Sequence, residues 1–258
     1  MARSLDEIVP PLSARSMILS VLLGSTPPSM AAHQLVAVGA HFGVAASSVR
    51  VALSRMVASG ELDSTNSTYT LSPQHMLRQR TTEARISPRR LAYTGMWRTV
   101  VLLGPGRAAA DRAQTRAMLT EARYAELREG VWMRPDNLAN EVPLITAEHT
   151  TMLAMPADDR ALARMLWNTE VWAAEAREVL NLMRQSTDHM VQLRAAAAAV
   201  RLLELDPALP DELTPERYPA DELRWAYEDF RRDLTTTYIE SLRPERGAEM
   251  LATQEETP

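Results

Sequence analysis

The spacing of apolar residues predicts three short helices followed by a hairpin in residues 1–90. The third predicted helix has Val49, Leu53, Met56 and Val57 on one side, at the spacing of a buried helical stripe. The predicted helices span residues 14–23, about 30–42 and about 45–59, and the two predicted strands span residues 61–63 and 68–71. Two helices, a tight turn, a third helix and a hairpin follow one another as in a winged helix-turn-helix.

Residues 91–156 have a different pattern, in which short β-favouring runs flank one alanine-rich helix. The strand–helix–strand–strand order predicts a small ferredoxin-like α+β unit. The predicted strands span residues 96–103, 131–133, 142–146 and 152–155, and the predicted helix spans residues 108–123.

Residues 157–258 are predicted to be a helical C-terminal domain. One long amphipathic pattern covers residues 162–183, and further helices are predicted at 190–205 and 223–234. From residue 247 onward the chain is polar and acidic, which predicts a frayed tail. The predicted fold is therefore α+β and mostly α, with domains at residues 1–90, 91–156 and 157–258.

Composition excludes several kinds of chemistry. The chain has no cysteine, so it has no disulfide, thiolate metal site, iron–sulfur cluster or cysteine nucleophile. No apolar run approaches the roughly 20 residues of a membrane span, and the N-terminus lacks the basic head and apolar stretch of a secretory signal. These features predict a cytoplasmic protein that does not bind membranes.

Charge is divided unevenly along the chain. All 28 basic residues are arginine, a side chain that binds phosphate and carboxylate through two hydrogen bonds. Residues 1–94 contain nine arginines and five acidic residues, for a net charge of +4, whereas the rest of the chain has a net charge of −9. A basic first third on an acidic remainder is expected if that third binds a polyanion.

The side of the third predicted helix opposite its apolar stripe has chemistry suited to DNA. Arginine can bond both acceptors of guanine, a small apolar side chain can contact a thymine methyl group, and serine can bond bases or phosphate. The candidate DNA-binding residues on this helix are Ser47, Ser48, Arg50, Val51, Ser54 and Arg55. An ordinary solvated helix face with two arginines is the alternative interpretation.

Two parts of the chain resemble the PaaX family of bacterial repressors. The first comprises Leu-Ser-Ala-Arg-Ser at 12–16 with Val-Ala-Ala-Ser-Ser-Val-Arg-Val-Ala-Leu-Ser-Arg-Met-Val-Ala-Ser-Gly at 44–60, and the second is Asp-Pro-Ala-Leu-Pro-Asp-Glu-Leu at 206–213 with Tyr218-Pro219 after it. The resemblance implies a winged helix-turn-helix, a ferredoxin-like middle domain and a helical C-terminal domain. It also implies a homodimeric repressor of aromatic catabolism that binds a double-stranded DNA operator and is released by an aryl-acyl-CoA, typically phenylacetyl-CoA.

The chain departs from the family pattern at three places. Ala45 stands where the family usually has a serine-type helix cap, and the hairpin tip at 63–68 carries no arginine. Phosphate contacts are therefore assigned to Arg78, with arginines 80, 85, 89 and 90 as further candidates. The family's middle domain is similar to a CRISPR adaptation nuclease. In this chain the strand beginning at Trp97 reads Thr-Val-Val-Leu-Leu-Gly at 99–104, without the carboxylate that a metal-dependent nuclease requires, so the middle domain is predicted not to be a nuclease.

Candidate residues for binding the CoA thioester lie in the last two domains. Tryptophan can stack on an aryl group or adenine, and arginine can bind a CoA phosphate. The candidates are Trp97, Trp132 and Trp167 for stacking, and Arg107 and Arg164 for phosphate. Core tryptophans and solvated arginines are the alternative interpretation for each of them.

Catalytic and metal-binding motifs are missing from the sequence. There is no Gly-x-Ser-x-Gly elbow and no His-Glu-x-x-His helix, and Gly-Pro-Gly-Arg at 104–107 lacks the lysine and spacing of a phosphate loop. No catalytic residue, metal ligand or cofactor is predicted apart from the CoA thioester effector. Three alternatives to the repressor remain: a protein-interaction module that uses a helix-turn-helix, a regulator of another pathway with a different effector, and an acyl-CoA-binding enzyme.

Overall fold

A computed structural model describes residues 3–25, 27–103, 109–139, 145 and 148–234 of the chain. Within these residues the protein is an α+β chain that is mostly helical, with two small antiparallel sheets. The predicted fold class is confirmed at this level.

The first three-stranded sheet and the helices around it form a unit that we call the head, residues 14–71. Its elements are α2 (Ala14–Gly24), β1 (Ser29–Ala31), α3 (Ala32–His41), α4 (Ala46–Ala58), β2 (Leu62–Thr65) and β3 (Thr68–Leu71), preceded by the single turn α1 (Leu5–Ile8). The three predicted helices and the hairpin are confirmed. Strand β1 was not predicted; it pairs antiparallel with β3, with Ser29 opposite Thr70. Ser13 caps α2 as predicted, because its side-chain oxygen accepts the N–H of Ser16 at 3.2 Å.

Two glycines determine how α3 meets α4. Gly43 has a φ of +70° in the turn between the two helices, a conformation that side chains with a Cβ rarely adopt. Gly39 is buried, and a Cβ at this position would lie 2.7 Å from Cγ2 of Val49 on α4. The backbone of α3 therefore packs directly on the buried side of α4 and fixes its position.

The second sheet and its helix form the middle unit, which spans residues 97–154. Its elements are β4 (Trp97–Leu102), α6 (Ala109–Glu121), β5 (Ala125–Arg128), β6 (Val131–Pro135) and β7 (His149–Ala154), in the sheet order β5-β6-β4-β7 with every neighbouring pair antiparallel. Strand β5 was not predicted. Of the strand predicted at 142–146, only Ile145 is among the described residues.

The remaining helices form the body, residues 159–233. They are α7 (Asp159–Leu166), α8 (Thr169–Gln185), α9 (His189–Leu205), a 3-10 turn (Asp211–Leu213) and α10 (Ala220–Asp233). The prediction of one continuous helix over 162–183 is wrong. The chain leaves helical conformation at Trp167, and the side chain of Asn168 then caps α8 by accepting the N–H of Val171 at 3.3 Å. The N-terminal residues Ile8 and Val9 are buried in the hydrophobic core of this body.

Helix α5 (Pro73–Ile86) connects the head to the rest of the molecule. Proline at its first position suits a helix start because the missing N–H has no helical partner there. The head also packs directly on the body, since Leu193 of α9 and Leu234 are part of the head's hydrophobic core. His41 of α3 stacks on His189 of α9 with ring centroids 4.1 Å apart, and burial together with the neighbouring His189 lowers the pKa of His41.

In the part of the chain that the structure describes, none of the helices has the length and apolar character needed to cross a bilayer.

Candidate nucleic-acid interface

Helix α4 is held by one side and exposed on the other. Val49, Leu53 and Met56 are at most 1% exposed and lie in the hydrophobic core of the head. Their spacing of i, i+4 and i+7 places them on one stripe, so the opposite side of the helix faces outward. Every predicted DNA-binding residue of α4 is exposed: Ser47, Ser48, Arg50, Val51, Ser54 and Arg55.

The two arginines of α4 are free of carboxylate partners among the described residues. No ion pair joins Arg50 or Arg55 to a described acidic side chain, whereas Arg15 of the same head pairs with Glu61 at 2.6 Å. Val51 lies between them in sequence, and its side chain is 51% exposed. An exposed face with unneutralised guanidinium groups and an apolar contact point matches the chemistry of the major groove.

The structure separates the arginines that follow the hairpin into two groups. Arg85 pairs with Glu121 at 3.3 Å, and Arg90 pairs with Asp221 at 3.2 Å. Arg78, Arg80 and Arg89 are exposed and make no ion pair with a described carboxylate. Of the five candidates, these three therefore keep a guanidinium available for phosphate.

The hairpin tip between β2 and β3 offers little positive charge. Asn66 and Ser67 have φ of 48° and 59°, the left-handed conformations of a type I′ turn, which matches the twist of the two strands. Around them the exposed residues are polar, and Asp63 is the one charged residue of this hairpin. Contact of the tip with DNA would have to rely on hydroxyl and amide groups.

The N-terminus of α4 lacks a side-chain cap. The helix begins at Ala46, so Ala45 is the capping residue. Because alanine has no side-chain oxygen, the first N–H groups of α4 lack the acceptor that a serine-type cap provides.

Replacing Ala45 by serine is expected to stabilise the protein by about 1 kcal/mol and to raise its melting temperature by about 2–4 °C. The serine oxygen would accept an N–H group at the start of α4. Differential scanning calorimetry of Ala45→Ser measures the change, with Ala58→Ser at the exposed C-terminal end of the same helix as the control. An equal shift in both variants would show that capping is not the cause.

The end of α5 is anchored by two arginines from other parts of the chain. Arg123 donates to the carbonyl of Arg85, and Arg224 donates to the carbonyl of Ile86 at 2.8 Å. Cations at a helix C-terminus also interact favourably with its dipole. Arg224 in turn pairs with Asp206, whose side chain is completely buried. Sequence reasoning did not find this anchor, because its members are distant along the chain.

The four described residues among the five predicted to bind the CoA thioester do not form one surface. Trp97 is fully buried and packs near Trp167, their ring centroids 6.1 Å apart, on one face of the second sheet. Trp132 is 3% exposed and belongs to a separate hydrophobic cluster that includes Leu119 of α6. Arg164 is exposed on α7 and lines a polar surface groove beside residues 211–218. Arg107 lies outside the described residues.

Across the described ranges, there is no group of three or more histidine or acidic residues placed to hold a metal ion.

Comparison with known proteins identifies the relatives of this chain. A family model described as PaaX-like protein matches residues 13–75, which include the whole of α4. The solved structure of the uncharacterized protein Rv0674 from Mycobacterium tuberculosis is similar, with 37% sequence identity and a TM-score of 0.82 over 90% of this chain and 99% of that chain. No curated protein matches the chain. Both the local match and the similarity over nearly the full length show that the chain belongs to the PaaX-like family.

Proposed function

We propose that this protein is a DNA-binding transcriptional repressor of the PaaX type and that α4 is its recognition helix. The observation that carries the proposal is the outward face of α4, on which Arg50 and Arg55 have no described carboxylate partner while Val49 and Leu53 hold the helix in the core. In a winged helix-turn-helix, α3 and α4 would be the paired helices and β2–β3 the wing. Membership of the PaaX-like family supports a role in transcription regulation.

We further propose that two copies bind an inverted repeat as a homodimer. Two recognition helices would then enter successive major grooves about 34 Å apart, which is one turn of DNA. The middle unit would be ferredoxin-like, since its first strand, β4, lies between its third strand, β6, and its fourth strand, β7. An aryl-acyl-CoA would release the operator by favouring an arrangement of the heads that no longer matches this spacing.

DNA binding is tested first with wild-type protein and a pool of randomised duplexes. Selection is expected to enrich an inverted repeat, and binding is expected to weaken steeply with salt because phosphate contacts release counterions. Binding that depends little on salt, with no enriched sequence, would favour the protein-interaction module instead. Turnover of a CoA ester would favour the acyl-CoA enzyme.

Replacing Arg50 by alanine is expected to weaken binding to the selected operator by about 5- to 150-fold, the loss of a bidentate guanine contact of roughly 1–3 kcal/mol. Fluorescence anisotropy with labelled operator measures the change. Arg128→Ala is the matched control, because Arg128 is an exposed arginine without a described ion pair on β5, in the other sheet. Equal affinities of the two variants would remove Arg50 from the interface.

A further inference from the structure

A cavity of about 410 Å³ lies between the head and the body. We call it the junction cavity; it is lined by α2, α5, α9 and α10, with Leu23, Ile86, Val200 and Phe230 among its walls. Its size falls in the range of sites for small molecules, and its walls are mostly apolar. None of the four described residues predicted from the sequence to bind an effector lines it.

The junction cavity lies where two hydrophobic cores meet. Phe230 of α10 packs against both the core of the head and the core of the body. The alanine run of α9 explains why space remains there: Ala195, Ala198 and Ala199 are fully buried in the body, while Ala196 and Ala197 line the cavity. Larger side chains at these last two positions would fill it.

Cationic groups exceed anionic ones around the junction cavity. Arg78 and Arg201 line it and pair with no described carboxylate; Arg201 donates to the carbonyl of Ile8 at 2.6 Å. Glu83 is neutralised by Arg231 at 2.6 Å. The other charged or titratable lining residues are Glu204 and His75, of which His75 lies 3.8 Å from Glu61. An apolar space beside two guanidinium groups that have no described carboxylate partner is complementary to an apolar molecule that carries negative charge.

Tyr227 adds a hydrogen-bond donor to the cavity wall. Its hydroxyl makes no hydrogen bond with any residue that the structure describes. A tyrosine hydroxyl is protonated at neutral pH, and burial raises the pKa of Tyr227 further. One donor in an apolar wall is the kind of group that orients a small ligand.

We propose that the junction cavity is the effector site and that it binds the apolar acyl group, aromatic or short aliphatic, of an anionic molecule. The negative charge of this molecule lies towards Arg78 and Arg201. The regulatory part of this inference rests on the proposed function. The ligand chemistry is shared by a free carboxylic acid and by a thioester whose anionic remainder extends out past the arginines.

A series of polar side-chain contacts beside the junction cavity would transmit the effect of ligand binding to the head. Gln79 of α5 donates at 3.0 Å both to the carbonyl of Leu23 on α2 and to Glu83, which in turn pairs with Arg231 of α10. These contacts thus connect the head to the body through α5. A ligand that occupies the adjacent space favours one position of α5 over another, and this changes how the head is held.

The test compares wild type with Ala197→Phe, which fills the cavity, and Ala174→Phe, a control at an exposed position of α8 outside the lining. Isothermal titration calorimetry without DNA uses phenylacetate, phenylacetyl-CoA and CoA alone. Wild type and Ala174→Phe are expected to bind at least one acyl probe, and Ala197→Phe is expected to bind it at least tenfold more weakly. Binding of the free acid identifies a carboxylic acid as ligand, and binding of the thioester alone identifies the ester.

A second variant keeps the proposal testable if Ala197→Phe does not fold. Tyr227→Phe removes only a hydroxyl that has no described partner, and it is expected to weaken binding of the same probe several-fold. Equal binding by wild type and both variants, binding of CoA alone as tightly as of its ester, or no binding of any probe would overturn the site. Failure of wild type to bind DNA would overturn the proposed function instead and leave the calorimetric result unaffected.

Discussion

Replacing Asp206 by alanine is expected to lower the free energy of unfolding by about 3–5 kcal/mol, because it removes the buried carboxylate beside Arg224 and Arg123. The side chain of Asp206 is completely buried and pairs with Arg224, whose own side chain is 11% exposed. Arg123 is buried as well, and its Nη1 makes no hydrogen bond with a described residue. Burial lowers the pKa of Arg123, and the carboxylate of Asp206 opposes that shift.

Asp206 also accepts two further hydrogen bonds. It accepts the Tyr218 hydroxyl and the Ala208 N–H, each at 3.1 Å. Burial and the neighbouring carboxylate raise the pKa of Tyr218, so this hydroxyl always has a proton to donate. Alanine at position 206 would therefore remove the acceptor of Nη2 of Arg224, of the Tyr218 hydroxyl and of the Ala208 N–H.

Asp221→Ala is the matched control for this prediction. Asp221 pairs with the same Arg224 at 2.7 Å, but its side chain is 51% exposed, and exposed ion pairs contribute roughly 0–1 kcal/mol. Differential scanning calorimetry should show a loss of roughly 6–20 °C for Asp206→Ala and of a few degrees at most for Asp221→Ala. Asp206→Asn, which keeps an acceptor but not the charge, should fall between them. Losses of equal size at positions 206 and 221 would refute a dominant role for burial.

Local patterns predicted the helices of the head well. The stripe of Val49, Leu53 and Met56 on α4 and the Ser13 cap of α2 depend on neighbours within two turns of the chain. Strand β1 could not be predicted in the same way. Its three residues are too few to show alternation, and they are extended because β3 pairs with them across the head.

Partners that are distant in sequence account for the features that could not be predicted. The motif that begins at Asp206 was noticed only as a family resemblance; its role as the counter-ion of Arg224 and Arg123 depends on how α6 and α10 pack around the end of α5. For the same reason, composition alone could not separate Arg85 and Arg90, which pair with carboxylates, from exposed arginines free to bind phosphate.

The tryptophans show most clearly what the sequence could not predict. Stacking on a ligand and packing in a core demand the same side chain, so a sequence does not distinguish them. In the structure Trp97 has no exposed surface, whereas Trp225 is 68% exposed. Trp97 is therefore expected to contribute to the stability of the fold, whether or not it also contacts an effector.

Replacing Trp97 by alanine is expected to cost about 3–5 kcal/mol of stability, because it opens a large cavity in the second sheet. Trp97 lies on β4, one of the two central strands of the second sheet, and packs with Met133 and Leu209. Its indole N–H donates to the Tyr93 hydroxyl at 2.9 Å, and that hydroxyl donates to Asp159 at 2.9 Å. Burial and the hydrogen bond to Asp159 raise the pKa of Tyr93 to about 12.

Chemical denaturation should distinguish packing from a direct role of Trp97 in effector binding. Trp225→Ala removes the same side chain from an exposed position and should change the free energy of unfolding by about 0.5 kcal/mol or less. Trp97→Phe keeps most of the packing, so it should stay folded and bind the acyl probe as wild type does. If Trp97→Phe instead kept its stability but lost the probe, Trp97 would contact the ligand, and the effector site would have to lie beside the second sheet rather than between the head and the body.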